Sequence, residues 1–289
     1  MSEKPTAFDR YHPAVAAVFF ACVLAFSMMA FHPVCVVASL LAGFAYSVYL
    51  RGLRASARTA LWQLPLVLVI AALNPFFSAS GSTELFRIGV RAVYLESLAY
   101  GACMGCMLVS VMLWFSNASH VLTSDKVMGL FGNAMPIIAL VLSMAMRLVP
   151  RFVRRGAEIE TVQNACARVR PATAKEKTAW RIRLTSVLMG WSMEDSLDVA
   201  DAMRARGWGA AARRTTYLRQ RFRARDGRAL AVLLALAAAS AAFLWPVCAQ
   251  FAFYPKLSGA AAWWQFVPYA ALLCAPLLMQ AGEEIRWMK

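Results

Sequence analysis

The chain has 289 residues, of which 61% are hydrophobic and 16% charged. A water-soluble domain is about half apolar and about a quarter charged, so this composition argues against a soluble globule and equally against a disordered or collagen-like chain. The 30 Lys and Arg against 15 Asp and Glu leave a net charge of +15, which alongside so much apolar sequence points first to a membrane protein rather than to nucleic acid.

A helix needs about 20 apolar residues to cross a bilayer. In chain order, the sequence predicts such helices over 14–31, 33–50, 60–77, 94–115, 131–149, 229–251 and 261–280. The N-terminal stretch carries Glu3 and Asp9, a poor signal peptide that leads into a first membrane helix. His32-Pro33 alone separates the first two, and a proline there suits a tight break followed by a helix start. The next connection holds Arg51, Arg54 and Arg58 without an acid, so it is assigned to the cytoplasm, and the N-terminus with it. The Gly- and Ser-rich stretch 78–83 then lies outside, and Trp263-Trp264 reads as an interfacial belt. Four spans return the chain inside near residue 116. A fifth full crossing at 131–149 puts the following basic stretch outside, against the charge rule. That segment is therefore either half-crossing, covered by protein, or a continuation into cytoplasmic helices, with Gly129, Gly132, Asn117 and Asn133 nearby suiting irregular backbone.

Residues 150–228 hold 18 basic residues against 8 acidic ones. Three apolar stripes at helical spacing run through them: Ile159, Val162 and Cys166; Leu184, Val187, Leu188 and Trp191; and Leu197, Ala200 and Met203. They predict amphipathic helices. Ser192 is placed as an N-cap with Asp195 in its first turn. Gly207 supplies the left-handed stop, which leaves Arg204 and Arg206 in the last turn. Upstream, a second amphipathic stretch ends in Ala167-Arg168, with Pro171 following as a stop. Two basic helix tips, 38 residues apart, suggest a two-pronged docking device, because a guanidinium forks onto carboxylates or carbonyls of another protein.

Other signals are structural by expectation. Glu194, Asp198 and Asp201 share a helix face, read as a solvated face that pairs with nearby Arg. Glu96 and Asn74 near membrane helix ends are functional candidates by position. Gly101 and Gly105 permit close helix contact, with a partner subunit as one neighbour considered. Of the seven cysteines, Cys103 and Cys106 form an isolated CxxC; His12, His32 and His120 are far apart in sequence, and neither a zinc site nor a disulfide framework is implied. No Walker-type P-loop, His-Glu-x-x-His or Gly-x-Ser-x-Gly is present. The basic stretch lacks the interleaved aromatics of a nucleic-acid surface.

In this order of features the chain resembles the transmembrane T component of energy-coupling factor (ECF) transporters, the prokaryotic importers of vitamins and metal ions. The matching features are Tyr11-His12-Pro13 before the first helix, Asn74-Pro75-Phe76-Phe77 closing the third, Met146–Phe152 leading into the basic segment, and the two Ala-Arg tips, the second within Ala202–Gly207. The apolar and basic runs predict an all-α polytopic membrane helix bundle, with membrane helices over 1–149, cytoplasmic coupling helices over 150–228 and further membrane helices over 229–289; the resemblance covers about residues 10–250 of it. It implies that Ala167, Arg168, Ala205, Arg206 and Gly207 dock into two cytoplasmic P-loop ATPase subunits. A separate membrane S component captures the substrate, ATP is bound by the partner subunits, and this plasma-membrane chain holds no cofactor and does no chemistry itself. Val169 stands where the family's first motif has Gly. Two rival readings are a membrane-embedded enzyme acting on a lipid-like substrate through Glu96, Asn74 or the acids of 194–201, and a scaffold whose basic arm binds anionic lipid.

Overall fold

The computed structural model describes residues 7–77, 83–88, 91–131, 135–166, 173–210, 222–251, 253 and 262–287. Nine α-helices appear among them: α1 Pro13–Met29, α2 Pro33–Arg51, α3 Leu53–Phe77, α4 Leu95–Val121, α5 Ser124–Phe131, α6 Pro136–Cys166, α7 Ala174–Ala205, α8 Ala224–Gln250 and α9 Val267–Trp287. The departure from the all-α expectation is one short antiparallel hairpin, β1 Glu84–Ile88 with β2 Arg91–Tyr94, in which Arg87 faces Ala92 and Ile88 faces Arg91. Contacts divide the chain into two units: 1–127 with 220–289, and 128–219. The first boundary falls earlier than the 149 expected from charge, because α6 runs without interruption from Pro136 through Arg151 and Arg155 to Cys166.

In the first unit, His-Pro pairs start two helices in the same way. The Nδ1 atoms of His12 and His32 accept the amides of Ala14 and Val34, each at 3.3 Å. The following Pro13 and Pro33 have no amide to leave orphaned and are preset for the first turn. Gly52, at φ 84°, closes α2 and lets α3 begin one residue later.

The interior is built around α2 and α4. The Trp114 indole is fully buried among the rings of Phe19, Phe20 and Tyr46, 6.1–6.5 Å away. Its Nε1 donates to Ser39 at 3.1 Å (Oγ) and 3.2 Å (O). Gly43 leaves room for it, since a Cβ there stands only 3.1 Å from Nε1. Ser39 and Ser110 share a 2.7 Å hydroxyl bond. Asn117, also buried, donates Nδ2 to the Gly43 carbonyl at 2.9 Å and accepts Arg51 Nη2 at Oδ1 at 3.3 Å. Arg51 also donates to Ser47 at 2.9 Å, and Ser47 bonds Ser56 at 2.9 Å.

These pairings give the directions. Ser39 meets Ser110 and Gly43 meets Asn117, so α2 and α4 run parallel. The Cβ positions of Gly101 and Gly105 face Ala71 and Val67, so α3 runs antiparallel to α4. His12 meets Asp226 at one end, and Phe26 and Met29 lie with Ala241–Ala249 at the other, so α1 and α8 are parallel. Gln280 donates to the Tyr49 hydroxyl at 2.8 Å, which sets α9 along α2. His12, Arg51, Asn117 and Asp226 therefore mark one end of the unit. The chain leaves it after α4 and returns through α8 at that same end.

Among the described residues, α6 with Arg147, Arg151, Arg154 and Arg155 offers no window long and apolar enough to span. Among the described residues, four helices are long and apolar enough to span: α2, α3 (through Pro75), α4 and α8. α1 is apolar but shorter. α9, expected as a span over 261–280, starts at Val267 and carries Glu283, Glu284 and Arg286 in its last turns. Trp263 and Trp264 form a 3-10 turn before it and are exposed, as a belt requires.

In the second unit, α6 and α7 form one antiparallel crossing. Phe152 meets Trp191 edge-on at 5.8 Å, Arg155 lies 5.6 Å over the same ring, and Leu188 reaches to 3.7 Å from the Cβ position of Gly156. Arg151 Nη1 bonds Asp195 Oδ2 at 3.3 Å. No residue of α7 is buried. Ser192 is not an N-cap: it lies inside α7, which starts at a Thr173 cap closed by a capping box with Glu176 (bonds of 3.2 and 3.3 Å). Nothing between Leu184 and Met203 breaks the helix, so two of the expected stripes belong to one rod.

A Cβ on Gly101 meets Asn74 Cβ at 2.7 Å and the Ala71 backbone at 3.0 Å, whereas Gly190 has nothing within 4 Å. Gly101→Ala is expected to lower stability by about 1–3 kcal/mol through overpacking, and Gly190→Ala to raise that of α7 by about 0.5–1 kcal/mol. Thermal unfolding of the purified variants in detergent measures both, and a neutral Gly101→Ala contradicts the close α3–α4 packing.

Candidate functional site

The C-terminal end of α7 is the best-defined of the features singled out in the sequence. The Arg206 amide bonds the Ala202 carbonyl at 3.2 Å, Gly207 bonds Arg204 at 2.9 Å, and Trp208 bonds Met203 at 3.0 Å. The last two bonds are the paired closures of a Schellman motif, and Gly207 occupies its left-handed position at φ 80°. An L side chain at that φ is strained, so the Ala-Arg-Gly order has a backbone reason. Ala205 is the last helical residue, Arg206 the cap and Gly207 the turn.

The Arg206 side chain is exposed and has no hydrogen-bond or ion-pair partner among the described residues. Its neighbour Arg204 faces Asp201 at 3.7 Å on an open surface, where such a pair contributes little. A guanidinium with five donors is thus presented at a helix tip, its position set by three backbone bonds. The first tip, Ala167 and Arg168 with Val169, lies outside the described residues. What is described is its base: α6 ends at Cys166, and the antiparallel crossing sends the C-terminal ends of α6 and α7 in opposite directions.

The acid face of α7 divides. Asp195 pairs with Arg151 across the crossing, Asp201 lies against Arg204, and Glu194 and Asp198 are exposed. In the first unit, Glu96 is 4% exposed and accepts the Thr83 hydroxyl at 2.7 Å and the Thr83 amide at 3.3 Å. It ties the hairpin to the first turn of α4, where the helix dipole favours a carboxylate. Asn74 accepts Ser97 Oγ at 3.5 Å and packs on Gly101. The close neighbour of Gly101 and Gly105 is therefore α3 of the same chain. The Cys103 and Cys106 thiols are free, and no group of three or more metal-ligating side chains occurs among the described residues. Asn74–Phe77 ends α3 as the motif suggested, while Met146–Phe152 lies inside α6 rather than before it.

Two constellations escaped the sequence reading. Arg51 and Asn117 join over 66 residues. Asp226, 3% exposed, accepts the amides of Arg223 at 2.9 Å and His12 at 3.3 Å, and so locks the start of α8 to the start of α1. Arg225 reinforces this lock, donating to the Arg10 carbonyl at 2.7 Å and covering Tyr11 at 4.6 Å. An acid three residues into a helix was the available signal for Asp226.

No protein-family model matches the chain, and no curated protein matches it.

Replacing Gly207 with Val puts a β-branched residue at φ 80°, at a cost of roughly 1–2 kcal/mol. Hydrogen exchange at the Gly207 and Trp208 amides is expected to accelerate while the middle of α7 stays protected. Unchanged exchange at both amides contradicts the role given to Gly207.

Proposed function

We propose that the chain is the energy-coupling transmembrane subunit of an ECF-type importer of vitamins or metal ions. It links ATP hydrolysis in two cytoplasmic P-loop ATPase subunits to a membrane S component that holds the substrate. The observation that carries this reading is the end of α7: an exposed Arg206 side chain, without a partner among the described residues, held at a Schellman-closed tip between Ala205 and Gly207. Such a tip offers planar, bidentate donors to carboxylates or carbonyls in a partner groove. Arg168, just past the end of α6, is the second prong. The opposed C-terminal ends of α6 and α7 suit two separate ATPase subunits better than one.

Charge supports a cytoplasmic position for these helices. The end of the first unit from which they depart carries Arg10, Arg51, Arg54, Arg58, Arg223, Arg225 and Arg228. The opposite end carries Arg87 and Arg91 on the hairpin beside Glu84. An arginine excess of this kind marks the cytoplasmic side. The second unit also exposes apolar side chains along α7, Ile182, Met189 and Met193 among them, each more than 60% open. Surfaces of that kind bind partners, and in this reading the S component covers part of it. The work of the chain is mechanical: closure of the ATPase pair moves the gripped tips, and α6 and α7 pass the motion on. The rival enzyme reading draws on Glu96 and Asn74, which are engaged in packing the hairpin, α3 and α4.

Arg206→Glu is expected to abolish co-purification of the ATPase subunits and substrate uptake while leaving membrane insertion intact. Removing one partner of a buried charged contact costs about 2–5 kcal/mol. Arg206→Lys keeps the charge but loses the fork, and is expected to fall between. Wild-type ATPase recovery and uptake with Arg206→Glu overturn the proposal.

A further inference from the structure

We propose that a cleft between α3 and α4 binds one glycerophospholipid whose headgroup carries hydrogen-bond donors. The two helices touch backbone to backbone where Gly101 and Gly105 meet Ala71 and Val67. The same face of α4 continues at helical spacing through Met112, Ser116 and Ser119. The tight glycine contacts with α3 end at Gly105. Pro65 lies in α3 just past the last of these contacts, and it has no amide to give the Leu61 carbonyl. The result is a cleft of about 680 Å³, lined by Gln63, Met112, Phe115, Ser116, Ser119 and His120 among others.

Its depth identifies the occupant. Trp62 is 83% exposed and Arg58 lies one turn before it. Exposed tryptophans and arginines of this kind mark the headgroup level of a membrane helix. Gln63 is the next residue, so the cleft opens at that level, on the arginine-rich end. From Met112 to His120 it runs about 12 Å along α4. A spanning helix of a partner needs a groove along the whole bundle, whereas a headgroup and its first methylenes need only this length. The chemistry agrees. Gln63 Oε1 is buried without a hydrogen-bond partner, and such an acceptor calls for a donor. A primary ammonium or a glycerol hydroxyl supplies one. The Ser116 hydroxyl and the His120 ring are the donors available for the phosphate, and Met112 and Phe115 line the acyl path.

The test uses the full chain purified from a membrane containing phosphatidylethanolamine and phosphatidylglycerol, with native mass spectrometry of the detergent-washed protein. Wild type is expected to retain one phospholipid, and to retain phosphatidylcholine, whose headgroup has no donor, more weakly in exchange. Gln63→Leu with Ser116→Val is expected to reduce retention about tenfold, equivalent to about 1.4 kcal/mol. Met112→Trp fills the cleft without touching a polar group and is expected to do the same, which keeps the test decisive if the double variant fails to fold. Equal lipid retention by a folded variant, absence of lipid from wild type, or a photo-crosslinker at position 112 that captures a protein helix instead of lipid each overturn the proposal.

Discussion

The rest of the structure depends on the polar seam between α2 and α4. In a bilayer no water is at hand to satisfy a serine, an asparagine or an arginine, so each such group on a spanning helix must find a partner in the protein. Here they find one another. The Asn117 amide is used at both ends, its nitrogen toward Gly43 and its oxygen toward Arg51, and this fixes its orientation. Trp114 needs both the hydrogen bond to Ser39 and the space left by Gly43. Each interhelical hydrogen bond contributes only about 0.6 kcal/mol in such settings. Their joint effect is geometric, because sliding or rotating either helix by one residue breaks all of them at once.

From that register follow the directions of the other helices, and from the directions the common end at which the chain leaves and re-enters the first unit. The second unit is built on opposite terms. Its interior is one crossing, a phenylalanine on a tryptophan with an arginine over the ring. Long helices that bury so little of themselves are not held by their own core.

Much of this was legible in the sequence. The apolar runs gave most of the membrane helices, His32-Pro33 the break between the first two, Gly207 the end of α7, and the Gly101–Gly105 spacing a close helix contact. Other features were hidden for physical reasons. Ser192 followed by Asp195 has the look of a helix start, yet a serine inside a long helix is tolerated, and only the unbroken backbone reveals which applies. The 131–149 run is apolar enough to suggest a span, but most of it belongs to α6, which continues unbroken through Arg151, Arg154 and Arg155. The Arg51–Asn117 and Asp226–His12 bonds join residues 66 and 214 positions apart, and no local pattern announces such a pair. The hairpin lies between two predicted membrane helices, in a stretch to which apolar run length assigns no element. The first arginine tip, Ala167 and Arg168, is known here from sequence alone.

The uninterrupted length of α7 has a mechanical consequence. With 32 residues it is a rod of about 48 Å, and it rests on α6 near its midpoint, where Leu188 and Trp191 sit on Gly156 and Phe152. From Leu188 the arms toward Ala174 and Ala205 are about 21 and 26 Å. A rod balanced on such a fulcrum behaves as a see-saw with nearly equal arms. Pushing the Arg206 end one way swings the Thr173 end the other way by a similar distance. At the fulcrum Gly156 puts no side chain between the two rods, so Leu188 comes close to the α6 backbone.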